Sequence, residues 1–137
     1  MDRQSKKVAR EHLEGKLHEA RETLQSPDRL ERFLDRLEGT MKVIPDENGW
    51  FAHVPDLASL VRDFADKKFM EIPAPTLFII AAALSYLVSS YEAAPGGIPA
   101  AGHADAAAVV AVGWQLAELD MDRYLEWKEK AGRPFAD

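Results

Sequence analysis

A long uncharged segment constrains this chain more than any other feature. The residues from Ile72 to Tyr91, IPAPTLFIIAAALSYLVSSY, carry no charge, and no Lys or Arg occurs between Lys68 and Arg123. A Pro/Gly-rich stretch and a second apolar segment follow. The pattern predicts a helical hairpin that is either the buried core of a small bundle or an element inserted in a membrane.

The length of the first hairpin helix bears on that choice. Pro73 and Pro75 are tolerated in a first helical turn, and they predict a helix from Thr76 to Ser90. At the α-helical rise that helix is about 22 Å long, whereas the hydrocarbon core of a bilayer is roughly 30 Å thick. The predicted helix is therefore marginal as a spanning element.

Composition and charge exclude several classes of protein. The chain has 137 residues, enough for one domain with its own core, and its 47% hydrophobic content is ordinary for a folded protein. The net charge of −6 argues against nucleic acid as a partner, because non-specific binding needs a basic face. Without cysteine there is no disulfide framework and no cysteine-based zinc site. The N-terminal residues lack the apolar region of a secretory signal, so we expect a cytoplasmic start.

The spacing of apolar residues predicts an all-α fold of about five helices. The first helix is amphipathic, and Ser26 followed by Pro27 is typical of an N-cap and first helical position, so a second helix starts there. Pro55 opens a third helix, and the apolar helix is the fourth. The last helix runs from near Ala104 to about Lys130. We expect a small bundle around the central apolar hairpin.

Turn residues and small residues refine this picture. The segment PDENGW, residues 45–50, is a predicted turn in which Asn48-Gly49 can take positive φ, and the segment from Glu92 to Gly102 is predicted to be irregular. Small residues four apart predict close approach of the two hairpin backbones, at Ala81, Ser85 and Ser89 on one helix and Ala107 and Ala111 on the other.

Several segments between about Leu30 and Lys128 carry a resemblance to a known family. They are HVPDLASLVRDFADKKFMEIP before the apolar helix, AALSYLVSS within it, and DAAAVVAV and DMDRYLEWK in the last helix. Together they resemble the YkvA-like bacterial domain of unknown function. Members are usually described as membrane-associated, no enzymatic activity is established for the group, and a related segment occurs in a membrane-embedded RING-type ubiquitin ligase. The apolar spacing and the resemblance together predict an N-terminal amphipathic helix at 1–25, a YkvA-like helical domain at 26–131 and a tail at 132–137.

The chain departs from the family in its loop, which typically reads SPIDLIPDFIP and is followed by a glycine and DDAAV. Six positions match, namely Ser89, Pro95, Ile98, Pro99, Gly102 and Asp105. Four others differ, because Ser90 replaces a proline and Glu92, Gly96 and Ala106 replace aspartates. Three positions that are usually large and apolar are Ala93, Gly97 and Ala101. The family's carboxylate chemistry is therefore not preserved in this loop.

One small group of residues is a weak candidate for a metal site. A folded loop could bring Glu92, His103 and Asp105 together, and carboxylate with imidazole suits a divalent ion or acid-base work. The spacing matches no established metal motif, and Asp105 is well placed to cap the last helix. We therefore predict no catalytic, cofactor-binding or metal residue, with these three as the weak alternatives.

Three functional hypotheses follow. The first is a nonenzymatic, membrane-associated helical module on the cytoplasmic side of the membrane, with the hairpin from Thr76 to Ala117 contacting lipid or partner helices. The basic residues on both flanks of the hairpin favour it. A set of aromatic residues could form an interfacial belt or could equally fill gaps between helices, namely Tyr86, Tyr91, Trp114, Tyr124 and Trp127. The second is a soluble cytoplasmic interaction or oligomerisation module, for which a homo-oligomer is one expected form. The third, weaker hypothesis is a metal-dependent hydrolase that uses the loop acids.

Overall fold

The protein is a bundle of α-helices in a computed structural model that describes residues 1–45, 49, 51–93 and 100–132. These residues contain six helices and no strand, which confirms the predicted all-α fold. The predicted N-terminal helix is divided at Gly15 and Lys16, and this division accounts for the sixth helix. The helices are α1 (Arg3–Glu14), α2 (Leu17–Gln25), α3 (Pro27–Met41), α4 (Val54–Ala65), α5 (Ala74–Glu92) and α6 (Ala100–Ala131).

Capping and turn residues set several helix boundaries as predicted. Ser26 Oγ accepts a hydrogen bond from the Arg29 backbone N–H at 3.3 Å, and Pro27 is the first residue of α3. Pro55 lies in the first turn of α4. Gly49 has a φ of +67°, as the predicted turn requires, while Asp46, Glu47, Asn48 and Trp50 lie outside the described residues.

Both hairpin helices are longer than the sequence predicted. The predicted range of Thr76 to Ser90 extends to Ala74–Glu92, so α5 is about 28 Å long, close to the thickness of a bilayer core. The last helix begins at Ala100 instead of near Ala104, because the alanines there have the highest helix propensity. The irregular segment predicted from Glu92 to Gly102 is therefore wrong at both ends, and residues 94–99 lie outside the described part.

The apolar helix α5 lies at the centre of the bundle and contacts all five other helices. One apolar cluster joins it to α3, α4 and α6, and a second cluster on its other side joins it to α1, α2 and α6. Buried side chains consequently occur all round α5, and Ile80, Leu84 and Leu87 are fully enclosed. This arrangement confirms the predicted bundle around a central apolar helix.

The first two helices belong to this packed body. Ala9 and Leu13 of α1 and Ala20 of α2 are buried in the second apolar cluster, beside Ala82 of α5 and Val109 of α6. Residues 1–25, predicted as a separate N-terminal segment, thus pack against one side of α5. The domain boundary at residue 26 and the tail at 132–137 stay predictions.

A close approach between α5 and α6 occurs at Gly113. A Cβ atom on this residue would lie 2.8 Å from Cβ of Ala83, nearer than real Cβ atoms approach other heavy atoms. Gly113 therefore allows the two hairpin backbones to come together without a clash. The small residues singled out from the sequence did not include this pair.

We predict that Gly113→Ala lowers the free energy of unfolding by about 1–2 kcal/mol, because the overpacking cost exceeds the gain in helix propensity. The matched control is Gly39→Ala in α3, where an added Cβ meets no atom within 4 Å. This control should raise stability by about 0.5–1 kcal/mol. Urea denaturation followed by circular dichroism measures both variants. An equal gain in stability for the two substitutions would contradict the close approach.

Candidate functional site

The three weak metal candidates contact different parts of the bundle. Arg36 of α3 donates to Glu92 through two nitrogens, Nε to Oε2 at 2.9 Å and Nη2 to Oε1 at 2.6 Å. His103 Nδ1 lies 2.5 Å from the Tyr91 hydroxyl oxygen. Asp105 is exposed on α6, and its predicted role as an N-cap is wrong because the helix begins at Ala100. In the part of the chain that the structure describes, no group of three His, Asp or Glu could hold a metal ion.

The electrostatics of these residues follow from their contacts. The hydrogen bonds from Arg36 hold the pKa of Glu92 below its ordinary value, and Glu92 in turn raises the pKa of Arg36. Both side chains are a little under half exposed, so the pair contributes at most about 1 kcal/mol to stability. Burial raises the pKa of Tyr86, and the nearby Asp105 carboxylate raises it further. The ion pair between Arg36 and Glu92 thus joins α3 to the C-terminal end of α5.

A polar cluster that the sequence analysis did not select joins α4 to α6. Tyr124 is fully buried, and its hydroxyl donates to Asp63 Oδ2 at 2.6 Å. The same hydroxyl lies 2.6 Å from Ser59 Oγ, which also accepts a hydrogen bond from Lys128 Nζ. Because the Tyr124 proton is directed to Asp63, Ser59 donates to Tyr124. The bonds therefore form one chain from the ammonium group of Lys128 to the carboxylate of Asp63.

The environment of Tyr124 keeps its hydroxyl protonated. Burial raises the pKa of Tyr124 well above its ordinary value, and the hydrogen bond to the Asp63 carboxylate raises it further. The aromatic rings of Phe69 and Trp127 lie 5.2 Å and 5.9 Å from the Tyr124 ring, centroid to centroid. The cluster thus provides a fixed donor that holds α4 against α6. A sequence signal existed in two polar pairs at i, i+4 spacing, Ser59 with Asp63 and Tyr124 with Lys128.

The aromatic residues that could form an interfacial belt pack between helices instead. Tyr124 is buried, and Trp127 is packed against the core beside Phe69 at a centroid distance of 5.0 Å. The Trp114 ring stacks on His53 at 3.9 Å with an interplanar angle of 8°. These contacts match the alternative in which the aromatic side chains fill gaps between helices.

The hairpin has properties that suit either a core or a membrane. By length and composition alone, α5 could cross a bilayer, since an 18-residue window of it has a mean hydropathy of 1.5. The core helix of a soluble protein can meet the same criteria, and 56% of that window is buried within the bundle. Leu116 and Leu119 of α6 are 48% and 77% exposed and add apolar surface outside the core.

Comparison with known proteins adds a bacterial relative. The alignment covers 76 residues, which are 56% of this chain and 72% of the relative. The aligned residues are 26% identical. The chain is similar to the uncharacterized membrane protein YkvA of Bacillus subtilis (strain 168). This likeness confirms the resemblance to the YkvA-like domain. No family model matches the chain, and no solved structure matches it.

We predict that Tyr124→Phe lowers the free energy of unfolding by about 1–2 kcal/mol at pH 8, because Asp63 and Ser59 lose a buried partner. The pKa of Tyr124 is raised in the folded state, so its contribution is complete below an unfolded pKa of about 10 and declines as pH rises above that value. The stability gap between wild type and variant should therefore narrow between pH 8 and pH 11. Urea titrations at both pH values test this, and an unchanged gap would contradict the assigned network.

Proposed function

We propose that this protein is a nonenzymatic, membrane-associated helical module on the cytoplasmic side of a bacterial membrane. The observation that carries the proposal is α5, a 19-residue apolar helix without Lys or Arg, in a chain similar to a bacterial membrane protein. Its length of about 28 Å is adequate for a bilayer core of roughly 30 Å. If the bundle opens, the hairpin of α5 and α6 is the element that reaches lipid.

The structure is a closed bundle in which the other helices pack around α5. Each of α1–α4 turns apolar residues toward the core and charged residues outward, and together with α6 these helices cover α5. Insertion of the hairpin would require α1–α4 to separate from α5, whereas docking of the whole bundle on a membrane surface would not. Docking therefore needs less rearrangement, and it is the mode that the packing favours.

Charge placement supports the cytoplasmic side. Hydrogen bonds from Thr76 to Asp120 and from Tyr124 to Asp63, each 2.6 Å long, bring the start of α5 and the ends of α4 and α6 to one end of the bundle. That end carries all the Lys and Arg residues that lie within 14 residues of the segment from Thr76 to Ala117. They are Arg62, Lys67 and Lys68 before the hairpin, and Arg123, Lys128 and Lys130 after it.

The nonenzymatic part of the proposal rests on how the candidate ligands are engaged. Glu92 is held in a two-bond contact by Arg36, and the imidazole of His103 is hydrogen-bonded to Tyr91. Asp105 lies apart from both, near Tyr86. A hydrolase that used these acids would first have to break existing contacts, so this hypothesis has less support than the other two.

A soluble interaction module is the second candidate, and enclosure of α5 favours it. Complete burial of Ile80 and Leu84 satisfies the helix without any lipid. The exposed pair Leu116 and Leu119, three residues apart on α6, could then contact a partner helix or a second copy of the chain. Replacing both leucines by Ser should abolish self-association in light scattering if this candidate is correct.

Cell fractionation tests the proposed function. We expect the full chain in the membrane fraction, and retention there after a carbonate wash would indicate an inserted hairpin. Hydrogen exchange on vesicle-bound protein separates insertion from docking, because insertion removes the protection that α1–α4 gain by packing on α5. Recovery of a monodisperse protein in the soluble fraction before any wash would overturn membrane association in favour of the soluble module.

A further inference from the structure

The first helix presents a row of cations on one face. Arg3, Lys6, Lys7 and Arg10 follow i, i+3, i+4 and i+7 spacing, and all four are exposed. They line one surface groove together with Glu11 and Glu14. Within the described residues, none of the four lies within ion-pair distance of an acid. We refer to these four residues as the basic row.

The basic row contrasts with the charge of the rest of the protein. Residues 1–10 contain four Lys or Arg and one acid, whereas residues 11–137 contain 13 Lys or Arg and 22 acids. The acids of the helix itself, Glu11 and Glu14, lie at its C-terminal end. An anionic surface would therefore attract this face of α1 and repel most of the remaining protein.

The order of charges along α1 opposes the helix dipole. Cations are favourable near a helix C-terminus and acids near an N-terminus, yet α1 has no acid in its first turn and has its cations in the first two turns. The four cations therefore weaken the isolated helix, and the N-cap Asp2 offsets part of this cost by accepting a 2.7 Å hydrogen bond from the Ser5 backbone N–H. Residues that depart from a local stability rule are those expected to serve binding.

One apolar residue lies beside the basic row. Met1 is 55% exposed and lines the same groove as the four cations, whereas Val8 lines a separate groove with Ala104 and Ala108 of α6. Ala9 and Leu13 anchor α1 to α5 and α6. An exposed apolar side chain beside Lys and Arg is typical of helices that lie in the interface of a membrane. The face of α1 that carries Ala9 and Leu13 is buried in the bundle, so only the outer face of α1 is available to contact a membrane.

We propose that the basic row of α1 docks the closed bundle on a surface of anionic phospholipid. The inference rests on the proposed membrane association and names the lipid class and the contacting residues. The four ammonium and guanidinium groups contact phosphate headgroups, and Met1 enters the region between headgroups and acyl chains. α5 stays inside the bundle in this mode.

Vesicle flotation with purified full chain tests the proposal. Wild type should float with vesicles of 30% phosphatidylglycerol in phosphatidylcholine and not with phosphatidylcholine alone, and binding should weaken between 0.1 M and 0.5 M NaCl. Lys6→Gln combined with Lys7→Gln should lower binding about 25-fold, since each cation near an anionic surface is worth about a factor of five. The control combines Arg32→Gln with Lys42→Gln, two exposed cations away from α1, and removes the same net charge.

The outcomes separate this inference from the proposed function. Loss of binding in the Lys6 and Lys7 variant, with retention in the control and equal melting temperatures, supports the basic row. Equal losses in both variants, equal binding to neutral vesicles, or tighter retention on duplex DNA than on anionic vesicles would overturn it. If the Lys6 and Lys7 variant stays in the membrane fraction of cells as wild type does, the basic row is wrong while membrane association stands.

Discussion

The contact between α5 and α6 at Ala83 and Gly113 sets the spacing on which the other helices depend. A methyl group against a bare Cα brings the two backbones together at this point of the hairpin. The pair of helices then has two apolar sides, and each side needs cover. α3 and α4 bury one side and α1 and α2 bury the other, and the remaining face of α5 is half-buried at Phe78, Ile79 and Tyr86.

Polar contacts fix the edges of this apolar body. Arg36 with Glu92, Thr76 with Asp120 and the Tyr124 cluster each join residues that are more than 40 positions apart in the chain. Among the described residues, no buried side-chain nitrogen or oxygen lacks a hydrogen-bond partner. Burial of apolar area supplies most of the stability, while these directional bonds determine which helix ends meet.

The apolar helix α5 could be surrounded either by lipid or by the other helices of the bundle. Lipid chains and the apolar faces of neighbouring helices are both acceptable surroundings for Ile80 or Leu84, because neither offers water. A likeness to a membrane protein and a closed bundle are therefore compatible when the membrane contact is made by the surface of the bundle. The basic row on α1 provides such a contact, and it requires no exposure of the core.

Structural features that depend only on neighbours within about one helical turn were predictable from the amino-acid sequence. Ser26 and Pro27 begin α3, and the apolar pattern places α5 at the centre, because capping and periodic burial depend on neighbours a few positions away. The two helix ends that border the loop, at Glu92 and Ala100, were misplaced because helix propensity carried each helix into residues that resemble a loop. Most of the loop motif lies outside the described residues.

The partners of polar side chains were decided only by tertiary structure. Glu92 meets Arg36 across 56 positions, and Tyr124 meets Asp63 across 61. Spacing along a helix tells which face a residue occupies, but which helix lies opposite depends on how closely the backbones pack. That distance is set at Ala83 and Gly113, a contact between two helices that sequence periodicity does not reveal.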